Sequence, residues 1–106
     1  MANIFQQAKQ MMELRSKMKQ IQKELEAQTV EYENAGVAVV ARGDMTIASI
    51  KINPEVFDTS RIEKLERTII ENANRALVKA KDQASQQMMK RQKELGLDGL
   101  MGGLGG

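Results

Sequence analysis

The stretch TVEYENAGVAVVARGDMTIASIKINP, residues 29–54, decides the fold. It opens by alternating, with Val30 and Tyr32 on one side and Thr29, Glu31 and Glu33 on the other, the period of a strand that buries one face. Asn34-Ala35-Gly36 reads as a turn, and Val37 to Arg42 is an apolar, β-branched run of strand length. Arg42-Gly43-Asp44-Met45 makes a second tight turn, in which Gly43 tolerates positive φ. A third strand runs from Met45 to about Asn53, where Ile50 and Ile52 alternate with Ser49 and Lys51, and Pro54 closes it because proline has no ladder donor. Such short connections join neighbouring antiparallel strands, so the middle of the chain is a three-stranded meander.

Both flanks of this stretch read as helices. From Asn3 to about Ala27 the residues Ile4, Met11, Leu14, Met18, Ile21 and Leu25 recur at seven, three, four, three and four, a heptad seam that no Gly or Pro interrupts. Downstream, Asp58-Thr59-Ser60 supplies a cap, and Glu63 follows Ser60 at the spacing of a capping box. Ile62, Leu65, Ile69, Ala73, Ala76, Ala80 and Ala84 then recur at three or four. This pattern predicts a helix of about 35 residues and about 50 Å. Its apolar side chains shrink from Ile and Leu to Ala, so the first half holds the core and the second half is thinly packed or projects. The reading is therefore an α+β chain of order α-β-β-β-α, one domain over 1–95 with a flexible Gly-rich tail over 96–106. A three-stranded sheet has two edges to cover, and both helices outreach it, so a homodimer is expected.

Composition narrows the function classes. The chain has 106 residues, 42% of them hydrophobic, with one Tyr, two Phe and no Cys, His or Trp. A core of aliphatics and Met in a domain this small gains from association, and neither a disulfide nor a thiolate or imidazole metal site is available to replace it. The longest apolar run, Ala35 to Ala41, is too short to cross a bilayer, and the N-terminus lacks the layout of a signal peptide. The chain reads as cytoplasmic, without a membrane partner. Ser16, Ser49, Ser60 and Ser85 have no His to activate them, Gly36 and Gly43 are isolated turn glycines, and Glu31 and Glu33 face solvent. Nothing here assembles a catalytic, metal or cofactor site, so the protein reads as a non-enzyme.

The charge map points elsewhere. Residues 3–27 carry five Lys or Arg against three Asp or Glu, residues 28–71 five against eight, and residues 72–95 six against two. A total of +2 thus conceals two basic segments around an acidic middle. The candidate residues are Arg75, Lys79, Lys81, Lys90, Arg91 and Lys93 on the second helix, with Lys17, Lys19 and Lys23 on the first as a weaker second set. One reading is a solvated face whose cations favour the helix C-terminus; the other is contact with the phosphates of duplex DNA, doubled by a dimer. Too few aromatics are present for single-strand stacking, and no base-reading motif appears, so backbone contact with little sequence preference is the form such binding takes.

Three segments in this order carry a resemblance: Ala8-Lys9-Gln10-Met11-Met12 through Lys23-Glu24-Leu25, then Gly36 to Asp44, then Ile50-Lys51-Ile52-Asn53-Pro54-Glu55. With Asn72-Ala73-Asn74-Arg75-Ala76 in the long second helix, the chain resembles the YbaB/EbfC nucleoid-associated proteins over nearly its whole length. The resemblance implies a bacterial homodimer shaped like tweezers that binds DNA, alters its conformation and organises the nucleoid, with a link to recombination or repair proteins. Two turns depart from the pattern. Asn34-Ala35-Gly36 has fewer glycines than is common in the family, and Asn53 stands where Asp is common. Two other readings compete: a prefoldin-like holdase that grips apolar clients, and an adaptor that binds through the Gly-Leu-Met tail.

Overall fold

The structure, a computed structural model, describes residues 4–96. In chain order it consists of helix α1 (Ile4–Ala27), strands β1 (Thr29–Asn34), β2 (Val37–Arg42) and β3 (Ile47–Ile52), two single 3-10 turns (Pro54–Val56 and Thr59–Arg61), and helix α2 (Ile62–Glu94). The expected α-β-β-β-α order is present, and the sheet is an antiparallel meander β1-β2-β3. The tail read over 96–106 falls, from residue 97 onward, outside the described residues.

The two hairpins are built differently from one another. Asn34 pairs with Val37 across Ala35 and Gly36, whose φ values are +55° and +79°. Two positive φ values in a two-residue loop match the strand twist, and they require a non-glycine, Ala35, to enter the left-handed region. In the second turn the positive φ falls on Met45, at +70°, and not on Gly43 as the sequence suggests. Asp44 Oδ1 there accepts from the backbone N–H and the hydroxyl of Thr46, which holds the loop and delays β3 until Ile47.

Gly43 is required for a different reason. A Cβ at this position would lie 2.9 Å from the carbonyl carbon of Leu25, closer still to its oxygen, and 3.3 Å from Glu26 Cα. The backbone comes this close because the turn caps α1: Gly43 N–H donates to Gln28 O at 2.9 Å and Asp44 N–H to Glu26 O at 3.2 Å. The bond to Glu26 satisfies one of the carbonyls that the end of a helix leaves without partners, and the bond to Gln28 holds the residue that links α1 to β1.

The start of α2 also departs from expectation. Asp58 Oδ1 accepts from the Ser60 N–H at 2.9 Å and from its hydroxyl at 2.7 Å, so it caps the short 3-10 turn. Ser60 forms no capping box with Glu63, and α2 begins at Ile62 behind Arg61, whose side chain makes no cap bond.

The core lies between the sheet and α2. Val30, Val37, Val39 and Ala41 meet Ala76 and Ala80, with Tyr32, Leu65, Ile69, Ala73 and Leu77 packed around them. Asn72 is fully buried among them, and its amide donates to Asn34 O at 2.8 Å and Val37 O at 2.9 Å, tying both ends of the first turn to α2. Strand β3 contributes nothing to this cluster. Its register sets Ile50 and Ile52 opposite Val39 and Val37, on the helix side, yet α2 packs chiefly across β1 and β2. Ile47, Ile50 and Ile52 are left 36–42% exposed.

Helix α1 joins the body only at its end. Ile21 and Leu25 are its buried residues, while Ile4, Phe5, Met11 and Met12 are each more than two-thirds exposed. The molecule is accordingly long, 77 × 27 × 17 Å, with a radius of gyration of 20.6 Å. A compact domain of this size would have about 13 Å.

Candidate nucleic-acid interface

The basic residues of α2 divide into two groups. Arg75 pairs with Glu71 one turn earlier at 3.1 Å, and its guanidinium carbon sits 5.9 Å from the centroid of the Tyr32 ring. Lys79 Nζ donates to the backbone carbonyl of Glu31 at 2.8 Å, holding edge strand β1 from outside. Arg91, half-buried, reaches Glu24 of α1 at 3.3 Å and Glu94 at 4.0 Å. All three are engaged within the molecule, Arg75 and Arg91 by acids and Lys79 by a carbonyl. Together with Gln28 and Gln83, whose side chains meet at 3.3 Å, the Arg91–Glu24 pair braces the distal half of α2 against the last turns of α1.

Lys81, Lys90 and Lys93 are exposed and have no ion-pair partner among the described residues. They do not form one surface. Nine residues of α-helix amount to roughly a half-turn of phase, so Lys81 and Lys90 point to opposite sides while Lys93 shares the side of Lys90.

Helix α1 differs. Lys17, Lys19 and Lys23 are exposed without an ion-pair partner among the described residues, and so are Lys9 and Arg15. Arg15, Lys19 and Lys23 follow one another at four residues and form a single stripe. Like charges at that spacing oppose helix formation by about 0.2–0.5 kcal/mol per pair. The sequence pointed first to α2, where the excess of cations is larger, but the structure leaves free the more coherent array on α1. Arg15 is not among the sequence candidates, and its four-residue spacing from Lys19 is the signal that could have found it.

The grooves of the surface are less suited to a polyanion. One groove of about 740 Å³ beside β1 is lined by Tyr32, Arg75, Val78, Lys79, Asp82 and Gln86 among others, and mixes an acid with cations already engaged. Among the described residues no group of acidic side chains could hold a metal ion, and no helix is long and apolar enough to cross a membrane.

Fold and surface together define an elongated α+β protein whose cations are displayed along helices. The profile of the YbaB/EbfC DNA-binding family matches residues 1–95, and the chain belongs to that family. It is 38% identical over 100 residues to a nucleoid-associated protein of Pelotomaculum thermopropionicum, covering 92% of this chain and 95% of that one. A nucleoid-associated protein of Syntrophobacter fumaroxidans is 35% identical over 102 residues, covering 94% and 93%. Another, from Caldanaerobacter subterraneus subsp. tengcongensis, is 39% identical over 90 residues, covering 83% and 78%.

Proposed function

We propose that this protein acts at the nucleoid as a homodimer that binds duplex DNA through its phosphates, with little preference for sequence, and alters the conformation of the duplex. The observation that carries this reading is the unpaired stripe Arg15–Lys19–Lys23 on a helix that projects from the body. Phosphates that neutralise the stripe remove its self-repulsion and release counterions, which makes binding steeply dependent on salt. Lys81, Lys90 and Lys93 extend the contact onto α2, whereas Arg75, Lys79 and Arg91 serve the fold first.

The same reading assigns dimer formation to β3. Its outer edge has no strand beside it among the described residues, and Ile47, Ile50 and Ile52 next to that edge are exposed, so a second copy paired there covers both the ladder and the apolar face.

The test is a mobility shift with duplex DNA over a salt series. Each Lys or Arg that contacts a phosphate contributes about 0.9 to the log–log salt slope. Replacing Arg15, Lys19 and Lys23 with Ala should flatten that slope by about this amount per residue, while Arg75→Ala leaves it nearly unchanged. A folded dimer that binds no duplex at low salt would overturn the reading.

A further inference from the structure

Helix α1 carries two kinds of exposed apolar residue, and they lie on different sides. Taking the direction of its buried residues Ile21 and Leu25 as the origin, Leu14, Met18, Met11 and Ile4 fall within roughly 80° of it. They continue the buried face and suit a neighbouring helix. Phe5 and Met12 fall roughly 180° and 160° away, on the outward side. Phe5 is 89% exposed and Met12 71%.

On that outward side Phe5 and Met12 stand among cations. Lys9, Lys19 and Lys23 lie within roughly 40° of Phe5, while Arg15 and Glu13 flank the two borders of the stripe. None of these four cations has an ion-pair partner among the described residues. An exposed aromatic ring within a row of free cations, on a helix that stands clear of the body, adds nothing to the core of its own chain. Its charge complement is a polyanion, and the duplex, the polyanion assigned by the reading above, offers a ring the apolar faces of its base pairs.

We propose that Phe5 is a wedge: when α1 lies along a duplex with Lys9, Lys19 and Lys23 on its phosphates, the Phe5 ring enters between two base pairs, unstacks that step and bends the duplex. Side chains such as Phe and Met act in this way in proteins that shape DNA without reading it. Met12, two turns along the same stripe, rests against the sugars. The inference rests on the duplex-binding reading above and adds to it how the duplex is deformed.

The chain contains no Trp, so Phe5→Trp introduces a single indole at the proposed point of entry. Titrated with duplex at low salt, its emission should be quenched by stacking on bases, and donor and acceptor dyes on the two ends of a short duplex should approach each other. Phe5→Ala should abolish most of that approach and weaken binding by roughly fivefold to a hundredfold, with the salt slope unchanged because no charge is lost. Emission that stays unquenched on a bound duplex, or a bend that survives Phe5→Ala, overturns the wedge while leaving the duplex reading intact. Emission already blue-shifted in the free protein also overturns it, since the ring would then lie between protein subunits. Absence of any binding by the unaltered chain defeats both readings.

Discussion

Ala35 holds a backbone conformation, φ +55°, that costs an L-residue about 1–2 kcal/mol. Ala35→Gly should therefore raise stability by about 1 kcal/mol, read as a higher denaturant midpoint with an unchanged m-value. Gly43 is the opposite case, since a methyl group there meets backbone and not a flexible side chain. Gly43→Ala should destabilise by about 3 kcal/mol or detach the end of α1, visible as lost amide protection at Gly43 and Asp44. Two carboxylates add a pH dependence. The Thr46 hydroxyl, first, and its N–H hold Asp44 below the ordinary value of 3.8, and Ser60 does the same for Asp58. A carboxyl whose pKa is lowered by folding stabilises the protein above its ordinary value, and that contribution is lost as pH falls below 3.8 toward the folded value. Thermal melts from pH 6 to pH 3 should lose less in Asp44→Asn and Asp58→Asn than in the unaltered chain. At this scale sequence reading falls short where a residue answers to a distant segment. Asn72 sits in the apolar spacing between Ile69 and Ala73 with nothing local to show that it holds a turn 35 residues away.

Elements were far more legible, because each carries its own period. The alternation of β1, the apolar run of β2 and the three-and-four spacing of α2 all fall where the pattern places them. Coverage is what a period does not reveal. The isoleucines of β3 have the alternation of a half-buried strand, but whether they are buried depends on where α2 crosses the sheet, and it favours β1 and β2. The same limit applied to the cations, since no local pattern shows that Lys79 reaches Glu31 or that Arg91 reaches Glu24. A charge on β3 should therefore act on association and not on the monomer's core. Ile50→Lys should shift sedimentation toward the monomer while far-ultraviolet dichroism keeps its helical signature, and an unchanged dimer would move the interface away from β3.

The whole molecule is defined by its length. Two helices of 24 and 33 residues around a sheet of six-residue strands cannot close into a sphere, and the extents of 77 × 27 × 17 Å express that directly. Most of this was available from the chain, as was the separation of an acidic body from basic helices. Which helix stands free was not, because it depends on the brace between Glu24 and Arg91 and on the cap that Gly43 and Asp44 place on α1. Arg91→Ala should loosen that brace at modest cost, about 0.2–1 kcal/mol for a partly exposed pair. Small-angle scattering should then show a broader distribution of maximum dimension with the same folded core. The bond from Lys79 to Glu31 has a further consequence, one of valency. A three-stranded sheet could in principle recruit a neighbour on each side and grow into a ribbon, but the ammonium occupies one side and leaves the other for a single symmetric pairing. On the proposed pairing through β3, each copy then offers a single edge, and a lysine on α2 is part of what keeps the count low.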